Sequence, residues 1–224
     1  MHSNKSSVGT DVKSFITANM QVRPVPHIPE LSLYKAHPGS GLWRIVDPEH
    51  DNPPYWAYHW AGGAVLARHI LDQPETVRGM RVLDLGSGSG VVGIAAAKAG
   101  ASEVIAADTD ANAIAATKLN ARINGVRVKT ILADLTIGDP PRVDLIAIGD
   151  LFYNELLARK VTEFLRRCAD AGIEVLVGDP GRTYLPRSHL RLVAQYHVSD
   201  FADGAQVKPS SVFSFESRSE INID

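Results

Sequence analysis

From residue 80 onward, apolar residues fall in short unbroken runs, separated by stretches where they recur every three or four positions. The runs MRVLDL, SEVIAAD, VKTILAD, VDLIAIGD and IEVLVGD read as buried strands. VVGIAAAKAG, ANAIAATKLNARIN and ELLARKVTEFLRRCADAG between them read as helices. The punctuation agrees: Gly100 ends the first helix, Asp110 caps the second and Asn124-Gly125 ends it. In the third, Leu157, Val161, Phe164, Leu165 and Cys168 share one face. HLRLVAQYHVSD and SSVFSFES predict a helical turn and two closing strands.

Upstream, Trp56, Trp60, Ala64, Ala67 and Leu71 recur at helical spacing, so YWAYHWAGGAVLARHILD predicts one amphipathic helix. Gly62-Gly63 inside it costs helix stability and marks a place where another group must come close. Residues 1–54 lack such periodicity and predict an N-terminal arm, partly flexible, with a short helix around Phe15–Met20. Pro24, Pro26 and Pro29 impose extended pieces on it. Residues 55–224 then form the one folded domain.

Strands alternating with helices imply an α/β fold with a parallel sheet and right-handed crossovers. Such sheets bind ligands at the strand C-termini, beside the first strand. Each of the first five strands carries an aspartate at or near that end: Asp84, Asp108, Asp134, Asp150 and Asp179. The turn VLDLGSGSGVVG fits two signatures at once. Gly88-Ser-Gly90-Val-Val-Gly93 matches a dinucleotide fingerprint, whereas Asp84-Leu-Gly86-Ser87-Gly88-Ser-Gly90 matches the acidic glycine turn of S-adenosylmethionine enzymes. If Gly88 opened a dinucleotide turn, Gly86 and Ser87 would occupy strand positions. A carboxylate at Asp84 repels a pyrophosphate and attracts the ammonium and sulfonium of S-adenosylmethionine. Asp108 can accept from ribose hydroxyls of either cofactor, and Asp134 followed by Leu135 suits an adenine amino group beside an apolar wall. The methyl donor is therefore the expected cofactor, and an oxidoreductase the rival.

Asp51-Asn52-Pro53-Pro54-Tyr55 contains NPPY, with which some methyltransferases hold a planar amino group. That motif ends a fourth strand, a slot filled here by DLIAIGDLFYN, so NPPY reads as a proline-stiffened helix entry. In the fourth-strand slot stands Asp150-Leu151-Phe152-Tyr153. An Asn carboxamide donates and accepts; a carboxylate only accepts, which suits an aliphatic ammonium. Phe152 and Tyr153 either wall an alkyl chain and its cation or belong to the core. His59 reads as a helix-surface group, and the eight histidines show no metal-ligand spacing.

Composition narrows the class. Lys+Arg 23 against Asp+Glu 25 offers no phosphate-neutralising surface, which argues against a nucleic-acid binder. The single Cys168 leaves no disulfide framework or cysteine metal site and fits a reducing, cytoplasmic setting. No apolar run reaches a membrane span. A monomer is the favoured state.

Taken together, PPYWAYHWAGGAVLARHILD, VLDLGSGSGVVGIAAA, GDLFYNE and VLVGDPGRTYLP resemble the seven-strand lysine methyltransferases acting on the β-subunit of electron-transfer flavoprotein. The resemblance spans roughly residues 20 to 216; Ala61 departs from it, where proline is usual. It implies a Rossmann-like sheet in the order 3-2-1-4-5-7-6, its last strand antiparallel, with helices on both faces. It implies a protein substrate, with Asp84, Gly86, Ser87, Gly88, Gly90, Asp108, Asp134 and Leu135 at the cofactor. By the same resemblance Asp150, Phe152 and Tyr153 receive the lysine. Trp60 then lines the cofactor pocket or sits in the core, and Asp179 and Arg182 face the substrate or form a plain turn. A lysine methyltransferase for another protein, such as a ribosomal protein, and a small-molecule amine methyltransferase stay open.

Overall fold

A computed structural model describes residues 11–45, 53–200 and 207–217 of the 224-residue chain. Asp51 and Asn52 of NPPY lie outside the described residues. The predicted strand runs become β3 (Arg81–Leu85), β4 (Glu103–Asp108), β5 (Lys129–Leu132), β6 (Leu145–Gly149) and β7 (Glu174–Asp179). They pair in parallel, and the closing strands β8 (Leu190–Ser199) and β9 (Val207–Phe215) complete a seven-stranded sheet. Its order is β5-β4-β3-β6-β7-β9-β8, the expected 3-2-1-4-5-7-6, with β9 antiparallel to both neighbours. The two central strands β3 and β6 are buried on both faces, which is why they read as unbroken apolar runs rather than alternations.

One face is covered by α2 (Ala61–Asp72), α3 (Val91–Lys98) and α4 (Ala111–Ile123); α5 (Glu155–Asp170) covers the other. The α5 face holds the predicted apolar stripe, with Val161, Phe164, Leu165 and Cys168 fully buried and Leu157 partly so. Asn154 caps α5 by accepting from Leu156 and Leu157 N–H, and Asp110 caps α4.

The segment expected as an arm contributes core over much of its length. The short helix α1 runs Val12–Asn19, and the proline-spaced stretch folds into the hairpin β1 (Gln21–Val25) and β2 (Ile28–Lys35). Ile16, Ile28, Leu31 and Leu33 are buried. The second edge of β2 meets α4 rather than another strand. Asn120 Oδ1 accepts from Tyr34 N–H at 2.8 Å, and Asn124 exchanges two bonds with Ser32. Asparagines one helical turn apart thus stand in for a strand partner.

The predicted helix over 55–72 starts later than its periodicity suggested. Tyr55–Ala57 forms a single 3-10 turn, Tyr58 and Trp60 are extended, and α2 begins at Ala61. Trp56 is buried, but against α1 and α4 instead of on the α2 stripe. Ala61 therefore occupies the first helical position, where proline is also well tolerated. His59, expected on a helix surface, lies in the extended piece, 5% exposed, with Nε2 3.4 Å from Ser199 Oγ. Among the described residues no helix is long and apolar enough to cross a membrane.

Candidate active site

A cleft of about 500 Å³ opens along the C-terminal ends of the parallel strands, within the usual size for a small-molecule site. Its floor is the turn after β3. Gly86, Gly88 and Gly90 have φ of +70°, +50° and +81°, a region closed to most side chains. Gly86 and Gly88 line the cleft; a Cβ on Gly86 would strike Leu151, and one on Gly90 would strike Thr117.

Two aspartates hold this turn from below. Asp84 is 2% exposed and accepts the Gly93 N–H at 2.8 Å, fastening the first turn of α3. Burial pushes its carboxyl up to about 7, against the pull of that N–H. Asp108 accepts from Gly88 N–H at 2.8 Å and Asp110 N–H at 2.9 Å, so it joins the turn to the start of α4. Its carboxyl, too, is raised by burial, but Asp108 reaches the cleft and keeps acceptor capacity there.

The far wall is built around Asp150, whose backbone has φ of +61°. Oδ2 accepts the Gly63 N–H at 2.9 Å, and Oδ1 accepts Nε and Nη2 of Arg182 at 3.0 and 2.6 Å. Trp60 cannot cap α2 with its indole, so Asp150 supplies the anion that this helix N-terminus lacks. Burial raises the Asp150 carboxyl to about 6; Arg182 and the Gly63 N–H pull it down. Asp179 is wholly buried and accepts from Gly181 and Arg182 N–H, at 2.6 and 2.7 Å, which turns Arg182 back toward Asp150.

This arrangement depends on close packing of α2 onto β6 and β7, as the glycine pair implied. A Cβ on Gly62 would lie 2.3 Å from Gly178 O and 2.6 Å from Asp150 Oδ2; one on Gly149 would meet Gly63. Three aromatic rings close the rim. Tyr55 packs edge-on to Trp60 at 5.6 Å and against Tyr153 at 5.4 Å, and Trp60 Nε1 donates to Tyr55 O.

Of the residues singled out in the sequence, the cleft brings together Trp60, Gly86, Gly88, Asp108, Asp134, Leu135, Asp150, Tyr153 and Arg182. Asp84, Ser87 and Gly90 lie behind the turn and shape it rather than face the cleft. Phe152 is fully buried in the α5-side core, and Asp179 acts through Arg182. Asp134 caps a 3-10 turn through Thr136 and pairs with Lys160. Sequence reasoning missed the Asp150–Arg182 clamp, because the two lie 32 residues apart and nothing local pairs them. It also missed Tyr55, absorbed into NPPY.

Among the described residues the lining carries Asp108, Asp110, Asp134 and Asp150 against one cation, Arg182, which pairs with Asp150, while Asp134 pairs with Lys160 from outside the lining. Such a surface repels a pyrophosphate and fits a cationic methyl donor with ribose hydroxyls to bind. A pH test follows from Asp150. The slope of log kcat/KM against pH should be about one while only the acceptor amine titrates, and steepen toward two below about pH 6, where Asp150 protonates and frees Arg182. Asp150→Asn should keep the single slope throughout.

Residues 65–169, less than half of the chain, match the family model for ribosomal protein L11 methyltransferase (PrmA). A Xenopus laevis electron transfer flavoprotein beta subunit lysine methyltransferase is 39% identical over 91% of this chain and 87% of its own. The Homo sapiens protein of that name is 34% identical, over 94% and 84% respectively. Among solved structures, the Thermus thermophilus 16S rRNA N2 G1207 methyltransferase in complex with AdoMet and guanosine aligns with a TM-score of 0.53 at 17% identity. It covers 89% of this chain and 50% of that one, a likeness of fold.

Proposed function

Since the chain belongs to the electron transfer flavoprotein beta subunit lysine methyltransferases, we propose that it methylates lysine ε-amines of the flavoprotein β-subunit, drawing the methyl group from S-adenosylmethionine. The observation that carries this reading is the pairing, in one cleft, of a carboxylate-rich wall with three packed aromatic rings beside Asp150. That chemistry receives an aliphatic cation and shuns a phosphate. Tyr153 lines the cleft and is exposed, as are Leu156 in the first turn of α5 and Tyr184 in the loop after β7, apolar surface suited to a protein rather than a small amine. The acidic cleft and net charge of −2 speak against a nucleic-acid substrate. We place the enzyme in the cytoplasm as a monomer.

S-adenosylmethionine supplies an electrophilic methyl group on a sulfonium, open to in-line attack by a neutral amine. Gly86 and Gly88 let the backbone approach it, Asp108 offers acceptors for ribose hydroxyls, and Asp134 with Leu135 borders the adenine end. Asp84, Ser87 and Gly90 hold the turn in shape.

On the acceptor side, a lysine of pKa ≈ 10.4 loses ~4 kcal/mol in shedding its proton near pH 7.4. A bare carboxylate beside it would raise that cost by holding the ammonium. Here the Arg182 pair spends most of the Asp150 charge, so Asp150 orients the amine without trapping its proton. The rings of Tyr55, Trp60 and Tyr153 pack on one another at the rim, where they would wall the alkyl chain of the lysine. Positioning of this kind is worth ~7–11 kcal/mol, more than the deprotonation costs. Phe152, next in chain to Tyr153, anchors this loop in the core.

Two experiments check this reading. Incubation with labelled donor, recombinant flavoprotein subunits and ribosomal protein L11 should place label on lysines of the β-subunit; label on L11 instead would favour the reading that the family model suggests. Asp84→Asn keeps an acceptor for Gly93 N–H and should bind S-adenosylmethionine within about threefold of wild type. Asp84→Ala leaves that N–H unpaired and should lose about tenfold in affinity together with melting temperature, by calorimetry.

A further inference from the structure

The segment Tyr55–Trp60 borders two pockets. Tyr55, Trp56 and Trp60 line the cleft, whereas Ala57, Tyr58 and His59 line a second pocket of about 290 Å³. Arg23, Lys35 and His37, from the hairpin and the turn after it, help complete that pocket, whose lining among the described residues contains no carboxylate. Lys35 is half-buried and makes no ion pair or hydrogen bond among the described residues. Burial pulls its ammonium down to about 8, the mark of a cation deprived of water without a compensating anion. Arg23 is braced on Gln21 Oε1 through Nε and Nη2, at 3.1 and 2.8 Å, so its guanidinium is held at the rim. His37 Nδ1 accepts from Gly39 N–H, which leaves the proton on Nε2. His59 is pushed down to about 4 by burial and by Lys35, so it stays neutral and Lys35 carries the charge.

We propose that this pocket is a carboxylate subsite that receives an acidic side chain of the protein substrate while the target lysine occupies the cleft. The inference rests on the reading of the enzyme as a protein-lysine methyltransferase. A substrate acid entering beside Lys35 gives the buried ammonium its missing counter-charge, with Arg23 closing over the second oxygen. The two pockets share this segment, and Tyr58 of the second packs edge-on to Trp60 of the cleft at 6.4 Å, so a substrate chain seated at one passes near the other. Specificity for an acid next to a lysine would then come from Lys35, and the chemistry from Asp150 and the aromatic rim.

The test combines kinetics and direct binding. With the flavoprotein β-subunit as substrate, Lys35→Gln and Arg23→Gln should each raise KM about fivefold while kcat and the S-adenosylmethionine Kd stay within about twofold. Lys35→Arg should restore KM. Calorimetry with hexaglutamate should show binding to wild type that Lys35→Gln loses, and acetate at the same carboxylate concentration should not compete. Unchanged KM together with absent or unaltered hexaglutamate binding overturns the subsite. Full competition by acetate also overturns it, since the pocket would then serve a free small anion. If wild type fails to methylate the flavoprotein yet Lys35→Gln abolishes hexaglutamate binding, the substrate assignment falls and the carboxylate subsite stands.

Discussion

Arg182→Met should lower turnover on the order of 100-fold and destabilise the fold by about 2–3 kcal/mol. The substitution keeps an unbranched apolar stem and removes the counter-charge of Asp150, whose side chain is 10% exposed. A carboxylate left alone there either protonates or pulls the chain apart to reach water. Its pKa, already raised to about 6, should climb further. Protonation weakens the bond to the Gly63 N–H and movement breaks it; either loosens the start of α2, so the damage reaches the aromatic rim through Trp60. The double variant Asp150→Asn/Arg182→Met should recover most of the lost stability, because no ion is then buried. Turnover should not recover. Equal melting temperatures for the single and double variants, by calorimetry near pH 8, would mean that the pair is solvent-screened and only incidental.

Gly62→Ala should cost about 3 kcal/mol, near 10 °C in melting temperature for a domain of this size. In an ordinary exposed helix the same change would stabilise by roughly 1 kcal/mol. The sign reverses because the new methyl would sit 2.3 Å from Gly178 O and 2.6 Å from Asp150 Oδ2. Neither atom can retreat. One belongs to a central strand, and the other is tied by Arg182. α2 must therefore lift from the sheet, taking Trp60 with it. Circular dichroism melts read the stability loss, and S-adenosylmethionine affinity reads the displaced rim. A variant as stable as wild type would show that the close approach is not needed.

Most of the scaffold was legible because its information is local. Unbroken apolar runs at β3 and β6, the Asp110 cap and the positive-φ glycines each announce a structure within a few residues. The helix around Trp56 was misread at its start because two tryptophans buried for different reasons happened to fall at helical spacing. Trp56 packs on α1 and α4, whereas Trp60 faces the cleft. The hairpin β1–β2 was hidden by its prolines and by an edge satisfied with asparagine side chains, which no period-two pattern reveals.

Of the aspartates at the strand ends, Asp108, Asp134 and Asp150 line the cleft whereas Asp84 and Asp179 do not, because what each does depends on where its carboxylate points. Asp84 turns inward to Gly93, Asp108 spans turn and cleft, and Asp150 is claimed by an arginine from another loop. Strand position alone does not set those directions. Partners distant in sequence do.

The left-handed backbone at Asp150 restricts what evolution or an engineer can place there. Beyond glycine, aspartate and asparagine enter that region most readily, so few other side chains fit without bending the loop. The shortlist includes a pure acceptor and an amide that also donates. On the proposed role of Asp150 in receiving the acceptor amine, exchanging it for Asn swaps an oxygen for a nitrogen without disturbing the left-handed backbone.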